Sequence, residues 1–242
     1  MLLFFQLFLQ PLLQMLYTLC ALYLVVYGVQ SAWLTYLYLR QRRSPSPTKQ
    51  SFIPSEGIET LAATSLPYVT IQLPVYNEHH VVERLIDACV RQSYPKDRLQ
   101  IQVLDDSDDH TTALAEARAE HWRKQGYHVN VLRRPDRIGY KAGALAYALP
   151  LAQGEFIAIF DADFLPPADF LAQTVPHFCN GANPDVGFIQ TRWEHLNRGY
   201  SALTQCQALA LDAHFAIEQP IRSQSGYLFG FNGSAGIWRR EC

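Results

Sequence analysis

The sequence has almost no net charge, and this excludes one large class of partners. Twenty Lys and Arg residues against 22 Asp and Glu residues give a formal charge of −2. Without a long-range positive field, a nucleic acid partner is not expected. Cysteine is also sparse and lacks the C-x-x-C or Cys/His spacing of a zinc site, so we expect reduced thiols that pack as small core residues in the cytosol: Cys20, Cys89, Cys179, Cys206 and Cys242.

Charged side chains are missing altogether between Met1 and Leu39. Within this stretch, residues 12–39 are long enough to cross a bilayer, which takes about 20 apolar helical residues. Arg40, Arg42 and Arg43 follow at once and predict that the downstream chain is cytosolic. A secretory signal is the alternative, but no basic segment precedes the apolar run. We therefore expect residues 1–43 to be a transmembrane anchor in contact with lipid, in the plasma membrane or an inner membrane.

The composition changes abruptly after the arginines. Residues 44–67 are rich in Ser, Pro and Thr and cannot form a core, so they are predicted to be a linker. Residues 68–242 then form the remaining domain.

In that domain, short apolar runs alternate with longer amphipathic ones. The predicted strands are 69–73, 101–104, 129–132, 156–160 and 187–191; the predicted helices are 79–92, 111–125, 141–151, 168–178 and 200–217. Strict alternation predicts an α/β fold with a mostly parallel sheet and helices on both faces. Ligands of such sheets bind at the carboxyl ends of the strands.

Polar residues follow three of the predicted strands, at residues 74–78, 105–107 and 161–163. A lone Asp-x-Asp is more often solvated or a helix cap. At a strand exit, however, Asp161 and Asp163 can converge on one divalent ion. Carboxylates suit Mg²⁺ or Mn²⁺, whose other positions are commonly filled by substrate phosphates. The pattern thus indicates a metal-bound diphosphate.

Other phosphate-binding folds lack their motifs here. The sequence contains no G-x-x-x-x-G-K-[ST], and no G-x-G-x-x-G follows the first strand. An aspartyl phosphatase would need Thr or Val at the position of Leu165.

Five ordered motifs resemble those of family 2 glycosyltransferases, in particular processive β-glycan synthases of the cellulose and mannan synthase type. They are PVYNE (74–78), DDS (105–107), KAG (141–143), DAD (161–163) and FNGSAG (231–236). The resemblance covers about residues 68–242. It implies a GT-A type, Rossmann-like fold and inverting transfer of a hexose from a UDP- or GDP-sugar to a glycan acceptor.

The resemblance also assigns roles to individual residues. It places Pro74, Tyr76 and Glu78 in the nucleotide pocket with Asp161, and Asp105 and Asp106 at the base or ribose. Capping of the next helix is an alternative for both aspartates. Lys141 would lie near the sugar nucleotide, or be a solvated lysine at a helix start. Phe231, Asn232 and Gly233 would bind the acceptor, unless this segment is only a structural turn.

Two departures from the family pattern affect catalysis. Residues 190–193 (QTRW) have one residue too few for the acceptor-binding Q-x-x-R-W. The Thr-Glu-Asp motif, whose Asp is the general base, is expected beyond Cys242. We therefore expect a C-terminally truncated chain that binds donor but is inactive alone. The family's single-transfer enzymes acting on lipid phosphates, and a non-catalytic sugar-nucleotide binding module, remain alternatives. The histidines (His79, His80, His177, His195, His214) are interpreted as surface or satisfied residues rather than substitute bases.

Overall fold

A computed structural model describes residues 8–43, 66–179, 185–228 and 230–242. The predicted linker lies outside these residues except for its last two, and of those Leu66 is buried in the core. The chain divides into two compact units. The first contains the N-terminal helix and residues from Glu194 to Gly230, and the second contains the sheet up to Trp193 together with Phe231–Cys242.

The first unit is helical. Its α1 (Gln10–Arg43) contains a stretch, Gln10–Arg40, that is long and apolar enough to cross a membrane. The other helices are α7 (Ala202–Ala213), a π-helical turn (His214–Glu218) and α8 (Gln219–Gln224). A capping box begins α7, because the Ser201 side chain accepts from the Thr204 amide and the Thr204 hydroxyl accepts from the Ser201 amide. The sequence predicted one α-helix over residues 200–217. In the structure this region is α7 followed directly by the π-helical turn.

The second unit is built on a six-stranded sheet in the order β3-β2-β1-β4-β6-β5. Four parallel strands are β1 (Val69–Val75), β2 (Leu99–Asp105), β3 (His128–Leu132) and β4 (Phe156–Ile159). Two further strands, β5 (Phe188–Gln190) and β6 (Gly236–Arg239), are antiparallel to each other, and β6 is antiparallel to β4. Strand β6 was not predicted from the sequence.

Helices and short turns connect these strands. They are α2 (Val82–Val90), a 3₁₀ turn (Lys96–Arg98), α3 (Thr111–Arg123), α4 (Tyr140–Ala148), a second 3₁₀ turn (Leu149–Leu151), α5 (Phe170–Thr174) and α6 (Pro176–Cys179). The single helix predicted over 168–178 is therefore two short helices, α5 and α6.

Helices cover both faces of the sheet, as the α/β pattern predicted. Alternate residues of a strand face opposite sides. Val103 joins the main core with α2, α3 and α5, whereas its neighbour Leu104 packs with Ala144 and Ala148 of α4. The α4 side also carries buried polar groups. There the Thr70 hydroxyl donates to the Gln100 side chain across 2.7 Å.

The cysteines do not follow the sequence-based expectation. Only Cys89, on α2, is buried; burial in an apolar environment raises its pKa far above the ordinary thiol value. The other four are exposed. The expectation that all five pack as core residues was wrong for those four, because thiols carry no sequence signal that separates core from surface.

Candidate active site

A cleft of about 540 Å³ opens at the carboxyl ends of β1, β2 and β4. Parallel strands end at the same edge of a sheet, so residues far apart in sequence meet there. Most of the predicted donor-site residues line this cleft: Pro74, Tyr76, Glu78, Asp106, Lys141, Asp161 and Asp163.

Asp105 is the exception. Its carboxylate is buried and accepts hydrogen bonds from the Ser107 amide (3.0 Å) and the Thr112 hydroxyl (2.6 Å). It therefore shapes the loop after β2 and does not line the cleft. Neither Asp105 nor Asp106 caps the following helix; Asp109 accepts from the Thr111 amide at the start of α3.

Asp106 lies in the cleft and is paired with Arg134. Arg134 donates from Nε to one carboxylate oxygen (2.8 Å) and from Nη2 to the other (2.6 Å), and both side chains are under a tenth exposed. Its hydrogen bonds with Asp106 raise the pKa of Arg134, so the guanidinium stays charged. This bidentate pair fixes the orientation of the Asp106 carboxylate.

A second arginine was also missed by the sequence reasoning. The Arg137 guanidinium lies 3.2 Å from the centre of the Tyr76 ring, which is a cation–π contact at the cleft wall. The signal was present as a basic cluster, RRPDR at residues 133–137, directly after β3. Because this cluster directly follows a strand, its position could have identified it as part of the ligand site.

Lys141 connects α4 to the loop of Asp161 and to the turn that contains Gly233. Its Nζ donates to the Asp161 carboxylate and, across 2.6 Å, to the carbonyl of Gly233. It is therefore not a freely solvated lysine at a helix start. Position 143 of the same motif requires glycine for a steric reason, because a Cβ there would collide with the Ile138 carbonyl. The absence of a side chain lets the 134–138 turn approach α4.

The acidic pair after β4 fits a divalent cation. Asp161 and Asp163 both line the cleft, and the Asp161 side chain is 37% exposed, so its oxygens are accessible. The Asp161 amide donates to the Ser234 hydroxyl (2.8 Å), which fixes the backbone at this point. Carboxylate oxygens beside an open cavity are the donor set that Mg²⁺ and Mn²⁺ prefer.

Residues 231–236 form an ordered turn beside the Asp161 loop, with Gln190 as its main support. The Gln190 side chain accepts from the Asn232 amide (2.8 Å) and donates to the carbonyls of Ser234 (3.0 Å) and Ala235 (3.1 Å). Gln190 thus holds the turn by its backbone, a role that the rejected match to Q-x-x-R-W did not suggest.

The three predicted acceptor residues differ in exposure. Phe231 is half-buried and packs edge-on against Phe188 and Trp238, with ring centres 5.9 and 5.2 Å apart. Asn232 is exposed, and Gly233 adopts a left-handed backbone with φ of 82°. Asn232 is therefore the most accessible side chain of the three.

Charge at the cleft is close to balanced before any ligand is added. Four carboxylates face three cations: Glu78, Asp106, Asp161 and Asp163 against Arg134, Arg137 and Lys141. A diphosphate would add negative charge to this balance, so its binding requires a further cation.

Curated relatives match the chain over most of its length. Glucomannan 4-beta-mannosyltransferase 2 of Arabidopsis thaliana is 37% identical over 235 residues, covering 95% of this chain and 44% of the relative. Probable glucomannan 4-beta-mannosyltransferase 6 of Oryza sativa subsp. japonica is 43% identical over 190 residues, covering 77% of this chain and 33% of the relative. The chain thus spans less than half the length of these relatives.

Solved structures and a family model agree with these matches. The mannosyltransferase PcManGT of Pyrobaculum calidifontis, solved with GDP-Man and Mn²⁺, superposes with a TM-score of 0.64 at 26% identity over 91% of this chain and 56% of that one. The model described as glycosyl transferase family 2 matches residues 70–230, the region that contains the four motifs lining the cleft. The chain belongs to glycosyl transferase family 2.

Proposed function

We propose that this chain transfers a mannosyl group from GDP-mannose to a hydroxyl of a β-glycan, with inversion and with Mg²⁺ or Mn²⁺. The cleft carries the proposal, because it joins a half-buried and an exposed aspartate, a lysine and an arginine–tyrosine stack at one sheet edge. The relatives named as glucomannan mannosyltransferases, and PcManGT with its bound GDP-Man, support mannose as the sugar.

In this proposal Asp161 and Asp163 hold the metal ion. When bound, the ion supplies positive charge that stabilises the leaving diphosphate. Lys141, already directed at Asp161, adds a point charge on the same side. These charges matter most as the glycosidic bond breaks, because negative charge then builds on the diphosphate.

The nucleoside binds on the Asp106 side of the cleft. Asp106, held by Arg134, accepts from N–H or hydroxyl groups of the base or ribose. The Arg137 guanidinium offers several N–H donors beside the Tyr76 ring. Guanine presents two adjacent acceptors, N7 and O6, that match such a donor pair, and this favours GDP over UDP.

The acceptor binds at the 231–236 turn, where Asn232 offers an exposed amide. Among the ionisable groups described in the cleft, Asp106, Arg137, Lys141, Asp161 and Asp163 have roles on the donor side, and the family resemblance assigns Tyr76 and Glu78 to the nucleotide pocket as well. We therefore assign no general base for the acceptor hydroxyl, although such a base commonly contributes about 10²–10⁴-fold.

Calorimetry on the detergent-purified chain tests the donor site. We expect GDP-mannose to bind in the presence of Mn²⁺ and to lose at least about tenfold in affinity in EDTA or in Asp163→Asn. Asp97→Asn is the matched control, since Asp97 is an exposed aspartate in a turn away from the cleft. Unchanged binding in Asp163→Asn, or tighter binding of UDP-glucose than of GDP-mannose, would refute the assignment.

Acceptor class is tested separately. Radiolabelled mannose is offered as GDP-mannose to mannan oligosaccharides and to a polyprenyl phosphate. Transfer to the oligosaccharide supports β-glycan synthesis. Transfer to the lipid phosphate alone supports the single-transfer alternative. Donor binding without transfer to either would contradict transfer by this chain alone and would agree with the expectation from the sequence that it binds donor but is inactive by itself.

A further inference from the structure

Three histidine rings gather beside the loops that follow β1 and β2, outside the cleft described above. The ring centre of His79 lies 3.9 Å from that of His80 and 4.2 Å from that of His110. His79 Nδ1 is also 3.3 Å from the Asp109 carboxylate. None of these residues lines the donor cleft.

Ligand atoms of three members lie close enough to share an ion. One nitrogen each of His79 and His110 and one oxygen of Asp109 all lie within 4.8 Å of one another. Around a tetrahedral zinc ion, with bonds of about 2.0–2.2 Å, neighbouring ligand atoms are about 3.3 Å apart. The His79–Asp109 pair already has this spacing. His110 is exposed, so its ring can turn to close the remaining gap.

The surrounding loops hold the cluster in place. Asn77, in a left-handed conformation with φ of 56°, receives and donates hydrogen bonds across the two loops. Its amide donates to the Ser107 hydroxyl (2.9 Å), its side chain donates to Asp108 (2.8 Å), and the Asp108 amide donates back to it (3.1 Å). One oxygen of Asp109 accepts from the Thr111 amide (2.8 Å), and the other is the one that lies 3.3 Å from His79 Nδ1.

We propose that His79, Asp109 and His110 form a binding site for a transition metal ion of the zinc class. Two imidazole nitrogens and one carboxylate suit Zn²⁺ or Co²⁺ and leave one position for water. Asp161 and Asp163 offer only oxygen and favour Mg²⁺ or Mn²⁺. The two sites thus differ in chemistry and in location.

The ion would cross-link the loop after β1 to the loop after β2. Glu78 immediately precedes His79, and Asp106 lies three residues before Asp109. Both loops therefore carry a cleft residue within three positions of a proposed metal ligand. The proposed ion stabilises the rim of the cleft without touching the substrate.

Cobalt spectroscopy on the detergent-purified 242-residue chain tests the site. We expect one equivalent of Co²⁺ to give the visible absorption of a tetrahedral ion and to be displaced by Zn²⁺. His79→Ala and His110→Ala are expected to lower Zn²⁺ affinity at least about 100-fold, beyond the cost of losing an outer-shell partner. His121→Ala, at an exposed position of α3 outside the cluster, keeps wild-type affinity.

A second measurement separates metal binding from folding. Zn²⁺ is expected to raise the thermal midpoint of the wild type and of the Asp161→Ala/Asp163→Ala double variant, but not of His79→Ala. The apo midpoints of His79→Ala and wild type should agree. Absence of the cobalt band in wild type, or its retention in both histidine variants, would overturn the proposal. Loss of the Zn²⁺ shift in the double aspartate variant would overturn it as well.

Discussion

Arg134 and Arg137 lie three residues apart and both approach Asp106, yet they have different physical roles. Arg134 forms the short bidentate pair, whereas Arg137 Nε is 4.0 Å from Asp106 and stacks on Tyr76. The first pair is buried and the Arg137 side chain is 39% exposed. One arginine therefore supports the fold, and the other is available to a ligand.

Replacing each arginine by alanine separates these roles. Arg134→Ala leaves the Asp106 carboxylate buried without its partner and should lower the free energy of unfolding by about 3–5 kcal/mol. Arg137→Ala should leave stability within about 0.5 kcal/mol of wild type and weaken GDP-mannose binding about tenfold. Urea unfolding and calorimetry check both expectations; equal effects of the two variants on stability would contradict them.

How well the site residues could be predicted depended on how far apart in sequence the interacting residues are. Asp161 and Asp163 were predicted as cleft residues because both follow one buried strand. Arg134 was missed because its pairing with Asp106 spans 28 residues and depends on how β2 and β3 align. The histidine cluster was missed for the same reason, since His79 and His110 come from different loops.

At the scale of elements, Asp87 links α2 to α3. Its carboxylate accepts from Arg118 Nε (2.6 Å) and from Trp122 Nε1 (2.8 Å), and it also contacts a second Arg118 nitrogen. Burial alone would raise the pKa of Asp87, but the hydrogen bonds from Arg118 and Trp122 outweigh it and lower the pKa. The two helices are therefore joined most strongly when this carboxylate is ionised.

The sign of the pH dependence follows from the lowered pKa. The contribution of Asp87 is fully present above the unfolded-state pKa of about 3.9 and is lost as the pH falls through the lower folded-state value. Asp87→Asn should cost about 2 kcal/mol at pH 7 and should flatten the loss of stability below about pH 4. Urea unfolding across pH, with Asp97→Asn as control, measures this; parallel curves for Asp87→Asn and wild type would contradict it.

Strand β6 shows how close packing limits substitution at an element boundary. A Cβ at Gly236 would contact the Phe231 ring and lie 2.7 Å from the Ile189 carbonyl, whereas a Cβ at Gly199 would meet nothing within 4 Å. Gly236→Ala should therefore destabilise the second unit by about 1–3 kcal/mol, and Gly199→Ala should be nearly neutral. Thermal unfolding of both variants decides this, and equal midpoints would argue against the packing described.

The main parallel strands were predictable because their apolar residues alternate over five to seven positions. Strand β6 has four residues and follows a glycine-rich turn, so it carries little local signal. Its pairing with β4 and β5 depends on contacts distant in sequence. Likewise, α6 begins at Pro176, but the apolar periodicity of this region did not indicate that α5 and α6 are separate helices.

At the scale of the whole molecule, α1 is the feature with the largest consequence for location. Its apolar side chains are exposed along most of its length, including Tyr23, Val25 and Tyr27. Such a surface is stable in lipid and not in water. We propose that α1 spans a membrane and that Arg40, Arg42 and Arg43 keep the following residues on the cytosolic side.

Membrane fractionation tests this orientation. The expressed chain should stay in the pellet after alkaline carbonate extraction, and in sealed right-side-out vesicles a tag after Cys242 should be protected from added protease. Replacing Leu19, Leu22 and Val26 of α1 by Asp should release the chain into the supernatant. Recovery of the unaltered chain in the supernatant, or a tag cleaved without detergent, would disprove the assignment.

The position of β1 within the sheet also determines where the second unit opens last. It lies between β2 and β4, and every residue from Val69 to Leu73 is buried. Each of its bonded amide hydrogens donates to one of these two neighbours, so exchange with solvent requires the centre of the sheet to open. Edge strands β3 and β5 open by smaller, local fluctuations. Deuterium uptake at β1 therefore reports the global unfolding equilibrium, while uptake at β3 and β5 reports motions that leave the centre of the sheet intact.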